Sequence, residues 1–222
     1  VQKTRLVTVR ADATPAENQQ ADVVVLGGGL GGVAGALAAC DAGQSVILTE
    51  ETDWLGGQAT SQGVSALDEN RYVENCGGTR SYLDFRHRIR GWYRRHTQLT
   101  AKARADPLLD PGNSWVSRLT FEPKAAVAAI DEMLAPHREG GRLGVSYRHR
   151  ISAAGRAGRR IEWVDVADLD TRKVKRLAGS YFLDGTELGD PLVVCRVEHV
   201  IGAESARQTG EPSARRDGPV PE

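Results

Sequence analysis

The stretch that decides the fold is Ala21–Gln58, ADVVVLGGGLGGVAGALAACDAGQSVILTEETDWLGGQ, which holds nine of the chain's 25 glycines. It opens with DVVVL (22–26), a continuous apolar run of the kind that forms strands buried on both faces of a sheet. From Gly31 to about Asp41 the residues are small and apolar, which suits a helix packed closely on that sheet, and Gly43 follows as a helix stop. SVILT (45–49) then reads as a second buried strand. Strand, glycine turn, helix and strand in about thirty residues make a βαβ unit.

Gly27, Gly29 and Gly32 stand as GxGxxG directly after the first strand. In this spacing the first glycine makes a tight turn, the second lets the backbone approach a pyrophosphate, and the third lets helix and strand pack closely. The helix N-terminus behind them offers free N–H groups and partial positive charge to phosphates. Glu50 ends the second strand, 18 residues after Gly32, where an acid accepts hydrogen bonds from a ribose 2′-OH. The pattern predicts a dinucleotide site. An acid at Glu50 disfavours a 2′-phosphate and hence NADP, whereas FAD and NAD both carry a free adenosine ribose and both remain open on these residues. EETDWLGGQATSQGV adds a second glycine pair, Gly56 and Gly57, and then a polar loop long enough to follow an extended cofactor.

Composition narrows the class. At 222 residues, 40% of them hydrophobic, the chain can bury a real core in one large domain or two small ones. Lys plus Arg equals Asp plus Glu at 29 each, so overall charge suggests neither a nucleic-acid nor a membrane partner. No apolar run approaches the roughly 20 residues of a membrane span, and the first twenty residues lack the apolar core of a signal peptide. A cytoplasmic protein is expected. The three cysteines, Cys40, Cys76 and Cys195, are widely spaced and odd in number, which predicts reduced thiols, with Cys76 the most exposed. There is no GxxxxGK[ST] for nucleotide hydrolysis and no HExxH for zinc, and no metal is expected. The five histidines, His87, His96, His137, His149 and His199, do not cluster in sequence and read as structural.

Along the chain, residues 1–20 are polar and read as an N-terminal arm, and 53–78 as a loop of functional length. TRSYLDFRHRIRGWYRRHTQL (79–99) reads as a helix with Tyr82, Phe85, Ile89 and Trp92 at helical spacing. Arg80, Arg86, Arg88, Arg90, Arg94 and Arg95 crowd its remainder, and in a neutral chain this predicts a solvated or subunit-contact face. In FEPKAAVAAIDEMLAPHREGG (121–141), Pro123 fits a first helical turn, Val127, Ile130 and Leu134 form a stripe, and Gly140 or Gly141 ends the helix. RLGVSYRHRI, RRIEWVDVADLD and RKVKRLAGSYFLD are strand-like, parted by AAGRAG and LDTR as hairpin turns. They predict an antiparallel meander over about 143–178, feeding a last strand SYFLD (180–184). The expected fold is α/β: a Rossmann-type parallel sheet with an antiparallel β-meander and helical insertions, the main one about 79–120. One domain over 21–210 is expected, with a disordered tail over 211–222.

Six segments in order, DVVVLGGGLGGVAGALAACDAG, VILTEETDWLGGQ, ENCGGTRSY, NSWVSRLTFEPK, YFLDGTELGD and IGAES, carry a further likeness. Together they resemble the N-terminal FAD-binding region of glutathione-reductase-type flavoproteins. In particular they resemble a bacterial FAD-dependent oxidoreductase family, some of whose members are described as xanthan-lyase-like. The resemblance covers about residues 21–210 and implies FAD as cofactor. It implies that Gly27, Gly28, Gly29, Leu30, Gly31 and Gly32 hold the pyrophosphate, that Glu50 with Glu51 holds the adenosine ribose, and that Gly56, Gly57, Gln58 and Ser61 follow the pyrophosphate and ribityl chain. Ile151 would meet adenine through its backbone, and LDGTELGD would make a second contact through Asp184, Gly185, Thr186, Gly189 and Asp190. The implied reaction is hydride transfer from a C–H bond of a small-molecule substrate to flavin N5; the sequence nominates no catalytic base. Such folds return to the cofactor with a later segment, so a second polypeptide supplying a C-terminal half, or a homo-oligomer, is expected. The alternatives are a non-catalytic FAD-binding subunit of a larger assembly and an NAD-binding dehydrogenase domain. No C-x4-C follows the second strand, so a disulfide-reductase mechanism lacks its dithiol.

Overall fold

In the computed structural model, residues 14–217 are described, and the apolar run Val23–Leu26 is the end of a longer strand, β1 (Glu17–Leu26). It leads through the glycine turn into α1 (Leu30–Asp41) and then β2 (Val46–Glu50). A long loop containing a single 3-10 turn at Gly57–Ala59 connects to α2 (Arg80–His96), α3 (Ala101–Ala105) and α4 (Pro123–Glu139). Four strands follow: β3 (Leu143–Tyr147), β4 (His149–Ala157), β5 (Arg160–Asp168) and β6 (Val174–Asp184). Short helices α5 (Asp190–Val194) and α6 (Ala206–Thr209) end the described chain.

All six strands form one sheet in the order β3-β2-β1-β6-β5-β4. β3, β2, β1 and β6 are mutually parallel, while β4 and β5 run antiparallel beside β6. Alternation along β1 feeds two cores, because successive strand side chains point to opposite faces. Val23 and Val25 pack with α1, α2 and α4 through Val33, Ala36, Phe85, Ile89, Ile130 and Leu134. Val24 and Leu26 pack on the other face against Ile151, Val164, Val166 and Leu177 of β4–β6. Helices thus cover one face and the meander the other, which is why Val23–Leu26 of β1 and Val46–Leu48 of β2 are apolar without alternation.

The helices obey their local signals. Pro123 occupies the first turn of α4, and Gly140 caps its end. Thr79 caps α2 by accepting the Tyr82 N–H at 3.3 Å. The buried row of α4 is Ala125, Ala126, Ala129, Ile130 and Leu134, with Val127 only half-buried.

Three expectations need correction. Residues 17–20, expected in a polar arm, belong to β1: Glu17–Gln20 pair with Lys175–Ala178 of β6, and their outward side chains explain the polarity. Of the rest of that arm, residues 1–13 lie outside the described residues. Leu143–Tyr147 was expected in the meander but pairs in parallel with β2. Arg148, at φ 60°, turns the chain between β3 and β4, so two strands of different sheet regions are joined by one residue. The meander proper is β4, β5 and the first half of β6, and its first turn falls at Gly158 (φ 60°), beyond most of AAGRAG.

The third correction concerns α2. Arg86 and Arg90 do not face solvent; they are 1% and 0% exposed, beside Phe85, Ile89 and Tyr93. Arg86 pairs with Glu69 and Glu74, and Arg90 Nη2 meets Glu74 Oε1 at 2.6 Å. Arg90 Nε also donates to the Leu109 carbonyl at 3.0 Å, and Ser117 Oγ to Glu69 Oε2 at 3.0 Å. This network ties the 64–78 loop and the 105–121 connection to α2.

Within the expected tail, residues 211–217 form a turn in which the Ala206 N–H donates to the Arg215 carbonyl at 2.7 Å. Residues 218–222 lie outside the described residues. Among the described residues no helix is long and apolar enough to cross a membrane.

Candidate dinucleotide site

The glycine turn is built by backbone crowding. Gly27 sits at φ 90°, a conformation that glycine adopts at no steric cost, and a methyl there would meet the Gly185 backbone at 2.5 Å. A methyl on Gly32 would lie 1.9 Å from the Gly27 carbonyl oxygen. Gly32 therefore lets α1 approach the end of β1, the packing role that the motif's third glycine predicts. The Gly27 N–H donates to the Thr49 carbonyl at 3.0 Å and the Gly185 N–H to the Leu26 carbonyl at 2.7 Å, which fastens the ends of β1, β2 and β6 together.

Glu50 completes the turn. It is buried at 6% exposed; its Oε2 accepts the Gly28 N–H at 2.8 Å and its Oε1 the Thr52 N–H at 2.8 Å. Two accepted bonds leave lone pairs on both oxygens, since an ionised carboxylate offers about four acceptor sites. The second glycine pair docks on the first: the Gly56 N–H donates to the Gly28 carbonyl at 2.7 Å, with Gly56 at φ 113° and Gly57 at φ 50°.

These elements enclose a cavity of about 180 Å³ at the carboxyl ends of β1, β2 and β6, beside the start of β4. Open α/β sheets bind ligands in this crevice, where strand order reverses. The volume is below the roughly 300–1,000 Å³ of complete small-molecule sites.

Of the expected residues, Gly27, Gly29, Glu50, Glu51, Gly57 and Ser61 line the cavity, as do Ile151, Gly185, Thr186 and Asp190. The others stand around it. Gly28 lies against Leu55 and Glu50, Gly56 pins the second pair, and Gly32 is held in the helix–strand contact. Asp184 braces the next turn by accepting the Thr186 hydroxyl at 2.6 Å, and Gly189 (φ 69°) caps α5. Leu30 and Gly31 open α1 on the side of a separate apolar groove, and Gln58 is exposed.

Sequence reasoning missed Leu26, Thr49, Thr52, Gln62, His149, Arg150, Glu187 and Leu188 on the cavity wall. His149 is buried, bonds the Tyr147 carbonyl through Nδ1 at 2.6 Å, and has no partner on Nε2. Arg150 pairs with two acids of the cavity wall, Asp190 through Nη2 at 2.7 Å and Glu51 through Nε at 3.8 Å. The alternation RHRI in β4 was the available signal for both. Glu187 lies inside LDGTELGD, between residues that were nominated.

The donor set fits a dinucleotide diphosphate. Gly29 caps α1 without any side-chain bond, and the first turn of α1 carries no acid. The N–H groups that open the helix therefore have no side chain competing for them. Gly29 and Gly57 pack closely on one another, for a Cβ on Gly57 would lie 3.1 Å from the Gly29 Cα, and glycine at both lets the Glu187 side chain approach.

Fold and site together define a Rossmann-type dinucleotide-binding protein. The family described as FAD dependent oxidoreductase matches residues 22–220, and the chain belongs to it. The cofactor is FAD. No curated protein matches the chain. Solved structures that resemble it include RebC, at 16% identity and TM-score 0.49 over 86% of this chain and 36% of that one. Adenylylsulfate reductase of Archaeoglobus fulgidus is similar at 16% identity and TM-score 0.48, over 80% of this chain and 32% of that one. The chain thus spans about a third of the length of these proteins.

Proposed function

We propose that this chain forms the adenosine and diphosphate end of the cofactor site in an oxidoreductase that takes hydride from a C–H bond of a small-molecule substrate. Bound FAD supplies the hydride acceptor, flavin N5. The chain's own residues bind and orient. The α1 N-terminus with Gly29 and Gly57 holds the diphosphate, Glu50 accepts from the ribose hydroxyls, and the Ile151 backbone meets adenine. Asp184, Gly185 and Thr186 brace the strand end that faces the cofactor. The observation that carries this reading is the Glu50 carboxylate, fixed by Gly28 and Thr52 N–H groups at 2.8 Å on the cavity wall.

We further propose that a second polypeptide, or a second copy of this chain, completes the flavin end and the substrate site. The limited cavity volume supports this, as does the exposure of Leu188, Val200 and Ile201 beyond it, at 83%, 76% and 63%. A cytoplasmic location is also proposed, supported by three free cysteines.

Purification tests the reading. A yellow protein with a flavin absorption spectrum that NAD does not displace supports it. A colourless protein that binds NAD and not FAD overturns it in favour of a nicotinamide site. Turnover by the isolated chain would remove the need for a partner.

A further inference from the structure

The cavity wall is acidic. Glu50, Glu51, Glu187 and Asp190 place four carboxylates on it, and among the described residues Arg150 is the only arginine or lysine there. A diphosphate brings further negative charge to this wall. The α1 N-terminus offsets only about half a charge, because it carries partial rather than full charge. A cavity of about 180 Å³ holds only a few waters. Charges act over about 10 Å at 0.1 M salt, so those of the wall bear on whatever the cavity holds.

Arg150 is held where it can offset these acids. It is the second residue of β4, and its side chain is half-buried between two wall segments. Nη2 donates to Asp190 Oδ1 at 2.7 Å, at the start of α5, and Nε lies 3.8 Å from Glu51 Oε2, just after β2. The Asp190 N–H in turn donates to Thr186 Oγ1 at 3.2 Å, which fixes that acid on a braced turn. Nε and Nη2 together form one fork of the guanidinium, the edge that grips a phosphate in a bidentate pair. Both are turned to carboxylates, so Arg150 serves the site through its charge rather than through a phosphate clamp.

We infer that Arg150 is the charge-balancing residue of the cofactor site: held between Glu51 and Asp190, it offsets the wall carboxylates and admits a diphosphate to an acidic cavity. This rests on the reading of the cavity as the FAD site. A charge effect has two signatures. It survives replacement by another cation, and it fades as salt screens it.

The test is FAD titration of the full chain, followed by flavin fluorescence, for wild type, Arg150→Gln and Arg150→Lys, at roughly 0.01 M and 1 M salt, where the Debye length is about 30 Å and 3 Å. The side chain is partly exposed, so both variants are expected to fold, and circular dichroism checks that they do. At low salt Arg150→Gln is expected to bind FAD about tenfold more weakly than wild type, and Arg150→Lys to stay within about threefold of it. At high salt the gap between Arg150→Gln and wild type should close to about twofold or less. Equal affinity of Arg150→Gln and wild type at low salt overturns the charge-balancing role and leaves the cofactor assignment intact. A loss in Arg150→Gln that persists at high salt, or that Arg150→Lys shares in full, also overturns it, in favour of a role in wall geometry. Failure of the wild type to bind FAD at either salt overturns it together with the proposed function.

Discussion

Glu50 Oε2 accepts the Gly28 N–H at 2.8 Å, so the acid that ends β2 holds the middle of the glycine turn that ends β1. One side chain therefore does structural work on the turn while its remaining lone pairs face the cavity. Glu50→Ala strands the Gly28 and Thr52 N–H groups in a buried setting. A loss of about 1–3 kcal/mol of stability is expected, measured by denaturant unfolding without cofactor. Unaltered stability would mean that the bond is not formed in solution.

Two neighbouring glycines will respond oppositely. At Gly32 a methyl would lie 1.9 Å from the Gly27 carbonyl, a contact that cannot be relieved without moving backbone. Gly32→Ala is expected to cost more than about 3 kcal/mol or to prevent folding, in line with severe overpacking. At Gly31 nothing lies within 4 Å of an added methyl, and φ is not in the left-handed region. Gly31→Ala should be neutral or stabilise by about 0.4–1 kcal/mol through the unfolded chain. Paired thermal melts read both, and equal effects at the two positions would contradict the packing described.

The buried Arg–Glu network predicts a large cost for breaking one partner. Arg90→Met leaves Glu74 without the Nη2 contact at 2.6 Å and the Leu109 carbonyl without its donor. A loss of about 3–5 kcal/mol is expected, because an uncompensated buried charge remains. Equilibrium unfolding measures it, and a change below 1 kcal/mol would show that the network is not formed.

Acid sensitivity follows from the same cluster. Burial pushes the Glu74 carboxyl up, but the Arg90 and Arg86 guanidiniums more than offset this and hold it below its ordinary value. Asp168, which accepts from the Thr171 and Asp170 N–H groups, is held at about 2. For groups depressed in the folded state, the unfolded chain takes up protons first on acidification. Stability is therefore fully present above the ordinary carboxylate range near 4 and falls as pH drops from there toward 2. Glu74→Gln should flatten that fall; an unchanged slope from pH 5 to 3 would contradict the assignment.

The sequence was most legible where backbone sterics decide the structure. Gly27, Gly32 and Glu50 are readable because only those residue types satisfy a tight turn, a close helix contact and a strand-end acceptor. It was least legible where a partner comes from far along the chain. Arg86 and Arg90 looked like surface charges because Glu69 and Glu74, in a loop without periodicity, neutralise them. β3 looked like a meander strand because the break at Arg148 is a backbone conformation that arginine does not advertise. Glu187 and Arg150 were missed for a related reason. Their positions on the cavity wall depend on how the ends of β4 and β6 meet, which neither local pattern contains.

The most direct measurement is an FAD titration of the purified apo chain beside Glu50→Ala, followed by flavin fluorescence. The account predicts one FAD per chain for the wild type and at least tenfold weaker binding for the variant. Equal FAD affinity in the two proteins, or no FAD binding by the wild type, would contradict it.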